Sequence, residues 1–140
     1  MAITIDDNLN SMIETIFSGF KVNNVSIPVS YLVYEGHCDT YITYLSYDKD
    51  NSYSSDDEIS GYAVYYDFDI YSKSNFIDII KAVKDLMREA GWTYQPRRES
   101  PDQYEKDTRL YHKTLCFAYP VQEYELLEED QNNIGGNTNE

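Results

Sequence analysis

The sequence is poor in the residues that most often carry chemistry. Of its 140 residues two are cysteine, two histidine, one tryptophan and four proline. Cys38 and Cys116 can form at most one bridge, and a chain kept in a reducing compartment holds its thiols free, so no disulfide is expected. Basic residues are scarce too: 11 Lys and Arg stand against 25 Asp and Glu, a net charge of -14. Duplex affinity depends on cations that displace condensed counterions, so this balance excludes nonspecific DNA binding. No apolar run approaches the roughly 20 residues of a membrane helix. The opening MAITIDDNLN lacks the basic start and apolar stretch of a signal peptide, so the expectation is a cytoplasmic chain without membrane contact. There is no glycine-rich phosphate loop and no GxSxG elbow.

The few soft ligands do not assemble on paper. His37, Cys38, His112 and Cys116 make up the number that structural zinc uses, but adjacent residues 37 and 38 diverge. On one strand, 112 and 116 stand about 13 Å apart at roughly 3.3 Å per residue. A Cys38 nucleophile beside Asp39, facing His112, lacks a third group to orient the base, and a free cysteine is more often a small core residue. Asp67 and Asp69 share a strand face and could ligate a cation, yet two carboxylates alone are what a solvated face carries. The reading is therefore of no catalytic residue, no metal and no cofactor, and of a chain that is not an enzyme.

What is present is a foldable pattern, with 41% hydrophobic and 26% charged residues in a length usual for one domain. Leu9, Met12, Ile13, Ile16, Phe17 and Phe20 recur at helical spacing and predict a helix over about 6–18, closed by Gly19. Tyr31 to Tyr34 reads as a short strand and Thr40 to Tyr47 as a longer one. Residues 48–60 carry five acids and one lysine with almost no aliphatic side chains, which predicts a mobile acidic loop. Beyond Gly61 the alternation puts Tyr62, Val64, Tyr66, Phe68 and Ile70 on one strand face and Ala63, Tyr65, Asp67, Asp69 and Tyr71 on the wetter one. From near Asn75, Phe76, Ile79, Ile80, Val83, Leu86, Met87 and Ala90 form one helical stripe ended by Gly91. Trp92 to Gln95 can start another strand, Pro96 to Asp107 reads as a polar connection, and residues 109–119 give a last strand stopped by Pro120.

This order lacks the regular strand and helix alternation of parallel sheets. The predicted fold class is α+β, an antiparallel sheet of four to five strands with two helices packed on one face. It forms one domain over 1–121, and six acids without a base over 122–140 predict a disordered acidic tail.

The conspicuous surplus is tyrosine, 15 in all, with Tyr41, Tyr44, Tyr47, Tyr62, Tyr65, Tyr66 and Tyr71 on two strands. Tyrosine has an apolar body and a polar tip, which suits a surface covered by another subunit. Only one sheet face can meet the helices, so rings on the other face call for a different cover. The candidate subunit interface is Tyr41, Tyr47, Tyr53, Asp56, Asp57, Glu58, Tyr65, Asp67, Asp69 and Tyr71.

The stretches YLVYEGHCDTYITYLSYD, DFDIYSKSNFIDIIKAVKDLMREAGW and DTRLYHKTLCFAY resemble the tail terminator, or tail completion, proteins of long-tailed bacteriophages and related prophages. The shared pattern is a Tyr-rich strand pair, an aspartate strand ending like Tyr71, Ser72 and Lys73, a helix, a glycine and aromatic like Gly91 and Trp92, and a final strand from near Tyr111 and His112. It runs from about Pro28 to Tyr119, roughly two thirds of the chain. The resemblance implies a structural, non-catalytic protein that forms a hexameric ring on the end of the tail tube. There it stops tube growth and joins tail to head. Its implied partners are itself, the tail tube protein and a head-completion or connector protein, in a virion assembled in the host cytoplasm. An acidic ring lets DNA pass without adhering. The alternative is an acidic DNA mimic or anti-restriction inhibitor, and a small hydrolase is the third reading. Mimicry needs acids on a rigid surface, whereas 11 of the 25 lie in 48–58 and 123–140.

Overall fold

The computed structural model describes residues 5–50, 61–74 and 76–122. The first apolar stripe forms α1 (Ile5–Ile16), which buries Leu9 and Ile13 and is followed by buried Phe17 and Phe20. A small antiparallel hairpin comes next, β1 (Lys21–Val22) and β2 (Val25–Ser26). Its two-residue turn needs positive φ at both positions, which asparagine tolerates, and Asn23 and Asn24 sit at φ 52 and 67.

The main sheet is built from β3 (Val29–Tyr31), β4 (Tyr41–Asp50), β5 (Gly61–Ser72), β6 (Thr93–Tyr94), β7 (Gln103–Glu105) and β8 (Leu110–Gln122). Their order is β3-β4-β5-β8-β6, with β7 also paired to β8. All pairings are antiparallel except β3 with β4. The result is a mixed fold of two helices and a mostly antiparallel sheet. It differs from expectation in having, among the described residues, six strands in the main sheet and a separate two-stranded one.

The differences have local causes. The short strand lies at 29–31, not 31–34, because Leu32 turns into the left-handed region at φ 73. The connection read as a loop from 48 starts later: β4 continues through Asp50, with a bulge at Tyr47 where the register shifts between Ser46 and Asp48. The polar connection 96–107 contains a 3-10 turn (Pro96–Arg98) and β7, both against β8. Pro120 does not stop β8. It falls beyond Ala118, the last residue paired with β6, where among the described residues β5 alone lies alongside and a missing N–H is tolerated. The expected tail over 122–140 falls outside the described residues except for Gln122, the end of β8.

The second stripe forms α2 (Ile77–Glu89), burying Ile79, Val83 and Met87. Its end is a Schellman arrangement: Gly91 N–H donates to the Arg88 carbonyl at 3.0 Å and Trp92 N–H to Met87 at 2.9 Å, with Gly91 at φ 98. The buried side chains of α1 and α2 enter one core with Ile42, Tyr44, Val64, Tyr66, Phe68, Ile70, Leu115 and Phe117. The two helices reach it from different sides, α1 beside β3 and α2 beside β6 and the hairpin. Phe68 holds the centre, with ring contacts to Phe17, Tyr44 and Phe117. The Tyr66 hydroxyl donates to Asn10 at 2.5 Å and so links β5 to α1.

Candidate functional site

The alternation along β5 separates two chemistries as expected: Val64, Tyr66, Phe68 and Ile70 enter the core, while Ala63, Tyr65, Asp67, Asp69 and Tyr71 face the other side. On that second face the strand register assembles a row. Tyr41 on β4 lies opposite Tyr71 on β5, and Tyr71 opposite His112 on β8. Their rings stack, Tyr41 on Tyr71 at 4.8 Å and Tyr71 on His112 at 4.3 Å between centroids, with interplanar angles of 20° and 12°. Tyr34, from the segment after β3, extends the ladder by stacking on Tyr41 at 4.5 Å. Its hydroxyl accepts the Cys38 N–H at 2.8 Å, and a Cβ at Gly36 would collide with the phenol, so glycine is what lets this loop close over the ring. Because neighbouring rings cover one another's faces, the ladder offers solvent its edges and hydroxyls.

Beside the ladder runs a row of acids. Asp69 accepts hydrogen bonds from Thr114 Oγ1 at 2.5 Å and, in the tautomer that protonates it, from His112 Nε2 at 3.2 Å. Glu105 on β7 stands 3.4 Å from His112 Nδ1 but off the direction of a hydrogen bond, so that nitrogen has no bonded partner among the described residues. Burial, then the charge of Asp69, pushes the Asp67 carboxyl up to about 6, while the Cys116 thiol and Arg98 pull it down. Burial, with Asp69 and Glu105 adding to it, pushes the Tyr71 hydroxyl up to about 12. Tyr65 is buried with Ala63, Cys116 and Ala118, and the Arg98 guanidinium lies 3.9 Å over its ring. A second anchor fixes the connection before β7: buried Lys113 reaches Asp102 at 2.7 Å, Glu99 at 2.8 Å and the Ser100 carbonyl at 3.2 Å. Desolvation lowers the Lys113 pKa, but these carboxylates outweigh it and the net direction is upward.

Five candidate residues, Tyr41, Tyr65, Asp67, Asp69 and Tyr71, thus share one face. The side chain of Tyr47 and all of Tyr53, Asp56, Asp57 and Glu58 lie outside the described residues. The face also contains members that the sequence reading passed over as site residues: Tyr34, His112, Glu105 and Arg98. Their placement depends on strand register, and only the alternation of 109–119 hinted that His112 shares a face with Thr114 and Cys116. The soft ligands do not converge: among the described residues no three His, Cys, Asp or Glu side chains are grouped to hold a metal ion. Both cysteines are free; Cys38 is exposed, which corrects its reading as a core residue, and Cys116 is buried. No helix among the described residues is long and apolar enough to cross a membrane. No family model matches the chain, and no curated protein matches it.

Proposed function

We propose that this chain is a structural subunit of a phage tail, a terminator that closes into a ring, a hexamer by the family resemblance, on the end of the tail tube. In this reading it stops tube growth and joins the tail to the head in the virion, through contacts with the tail tube protein and a head-completion or connector protein. The observation that carries the reading is the sheet face just described: a rigid ladder of four aromatic rings flanked by Asp67, Asp69 and Glu105, on a chain of net charge -14. Turned toward a central passage, with the helices packed on the opposite face and outward, such a surface repels phosphates and lets DNA slide. Tyr41 and Tyr71 stiffen it by stacking across strands.

Charge also sets how assembly responds to salt. Ring closure brings like-charged subunits together, so association strengthens as the Debye length shrinks below about 10 Å. Sedimentation velocity across a salt series, with and without tail tube protein, tests this: monomers at low salt and a ring at higher salt or on the tube. A chain that stays monomeric throughout while tightly binding a restriction or repair enzyme would overturn the proposal in favour of a DNA mimic.

A further inference from the structure

Six of the seven large hydrophobic side chains exposed among the described residues gather in two groups, each between 41% and 65% exposed. Tyr31, Leu32 and Val33 form the first, at the end of β3, the outermost strand on one side of the sheet. Tyr104 on β7 and Tyr111 on β8 form the second on the opposite side, with rings 5.0 Å apart, beside Ile77 at the start of α2. Four strand spacings separate β3 from β7, about 19 Å at 4.8 Å each. Both groups lean toward the core face: Tyr31 packs on Tyr44, and Tyr111 on Phe76.

Their surroundings differ in charge. Glu35 is exposed beside the first group, whereas Lys106 and Arg109, with Asp107 between them, are exposed beside the second and leave that turn net positive; none of these four has an ion-pair partner among the described residues. An isologous contact would set Glu35 against Glu35 and leave one apolar group uncovered. A head-to-tail contact covers both groups in every copy and sets Glu35 against the two cations. Because both groups lie toward the same sheet face, successive copies join without inverting.

We infer that the occupant of each rim is a second copy of this chain: Tyr31, Leu32 and Val33 of one copy pack on Tyr104 and Tyr111 of the next, forming the repeating seam of a closed assembly. The inference rests on the ring reading and adds the surface through which the ring closes.

Charge substitutions on each rim test it, using the full chain at raised salt. Leu32→Glu and Tyr104→Glu, each at an exposed position, weaken self-association roughly a hundredfold and sediment as monomers. Mixed in equal amounts, they form dimers that grow no further, because each variant keeps the one rim that the other lacks; dimer formation also shows that both are folded. If the unmodified chain assembles and either variant assembles equally well, the seam is wrong while the ring reading stands. If the unmodified chain stays monomeric even with tail tube protein, both fall.

Discussion

Asp67 lies on the second face of β5, opposite Cys116, partly withdrawn from water and two residues from Asp69. Burial first, and Asp69 second, hold its carboxyl near 6 instead of the ordinary 3.8. The folded chain therefore binds this proton more tightly than the unfolded chain. The contribution to stability is complete below about pH 3.8 and is lost as the pH rises through about 6. Two units at about 1.4 kcal/mol each give close to 3 kcal/mol, reduced to roughly 2 by partial solvent access. Asp67→Asn is uncharged at every pH, and its amide oxygen can still accept the Cys116 thiol proton. Urea denaturation followed by far-UV circular dichroism, at protein concentrations that keep the chain monomeric, measures the effect. The variant should be more stable than the parent by roughly 2 kcal/mol at about pH 7.5 and equal to it near pH 4. An equal difference at both pH values, or a loss of stability at the higher one, would refute the reasoning that desolvation of this carboxylate opposes folding. Comparison with the parent at each pH cancels the general repulsion among the chain's other acids.

The Tyr71 hydroxyl, raised to about 12, stabilises the fold below about pH 10 and ceases to do so as the pH climbs through 12; absorbance titration should show Tyr71→Phe removing a late-titrating phenol, and an unchanged late phase would contradict the ladder. Lys113→Met leaves Asp102 and Glu99 without their shared cation and should lower stability by about 1–2 kcal/mol in urea; a gain in stability would mean that desolvation outweighs the pairing. Gly91→Ala forces a Cβ into the left-handed region at φ 98 and should cost about 1 kcal/mol; a neutral result would show that the α2 terminus relaxes freely.

Long periodic segments were legible without the fold. The stripe Phe76, Ile79, Val83, Met87 and the alternation from Tyr62 to Tyr71 each repeat often enough for the period to identify the element and its buried face. The short strands were legible only in part: β6 lies inside the strand expected from Trp92 to Gln95, β3 begins two residues before the expected Tyr31, and β7 falls in the stretch read as a polar connection. Each has two or three residues, too few for a period, and exists because β4 and β8 offer backbone partners. Pro120 reads locally as a stop, but whether a proline is tolerated depends on which neighbour the strand still has. For the site, Tyr41, Tyr65, Asp67, Asp69 and Tyr71 could be grouped by alternation, whereas Tyr34 and His112 join the ladder only through register. The cover that these rings need comes in part from the chain itself: Tyr41 and Tyr71 stack on each other, and Arg98 lies over Tyr65. Among the described residues, six of the seven exposed large apolar side chains lie elsewhere, at the two rims of the sheet.

The chain is proposed to function by closing into a ring at the end of a tail tube. Negative-stain imaging of the purified protein, alone and mixed with its tail tube protein, tests it most directly. The expected images show closed rings seated on tube ends and tubes that no longer lengthen. Free monomers beside tubes of unrestricted length would contradict it.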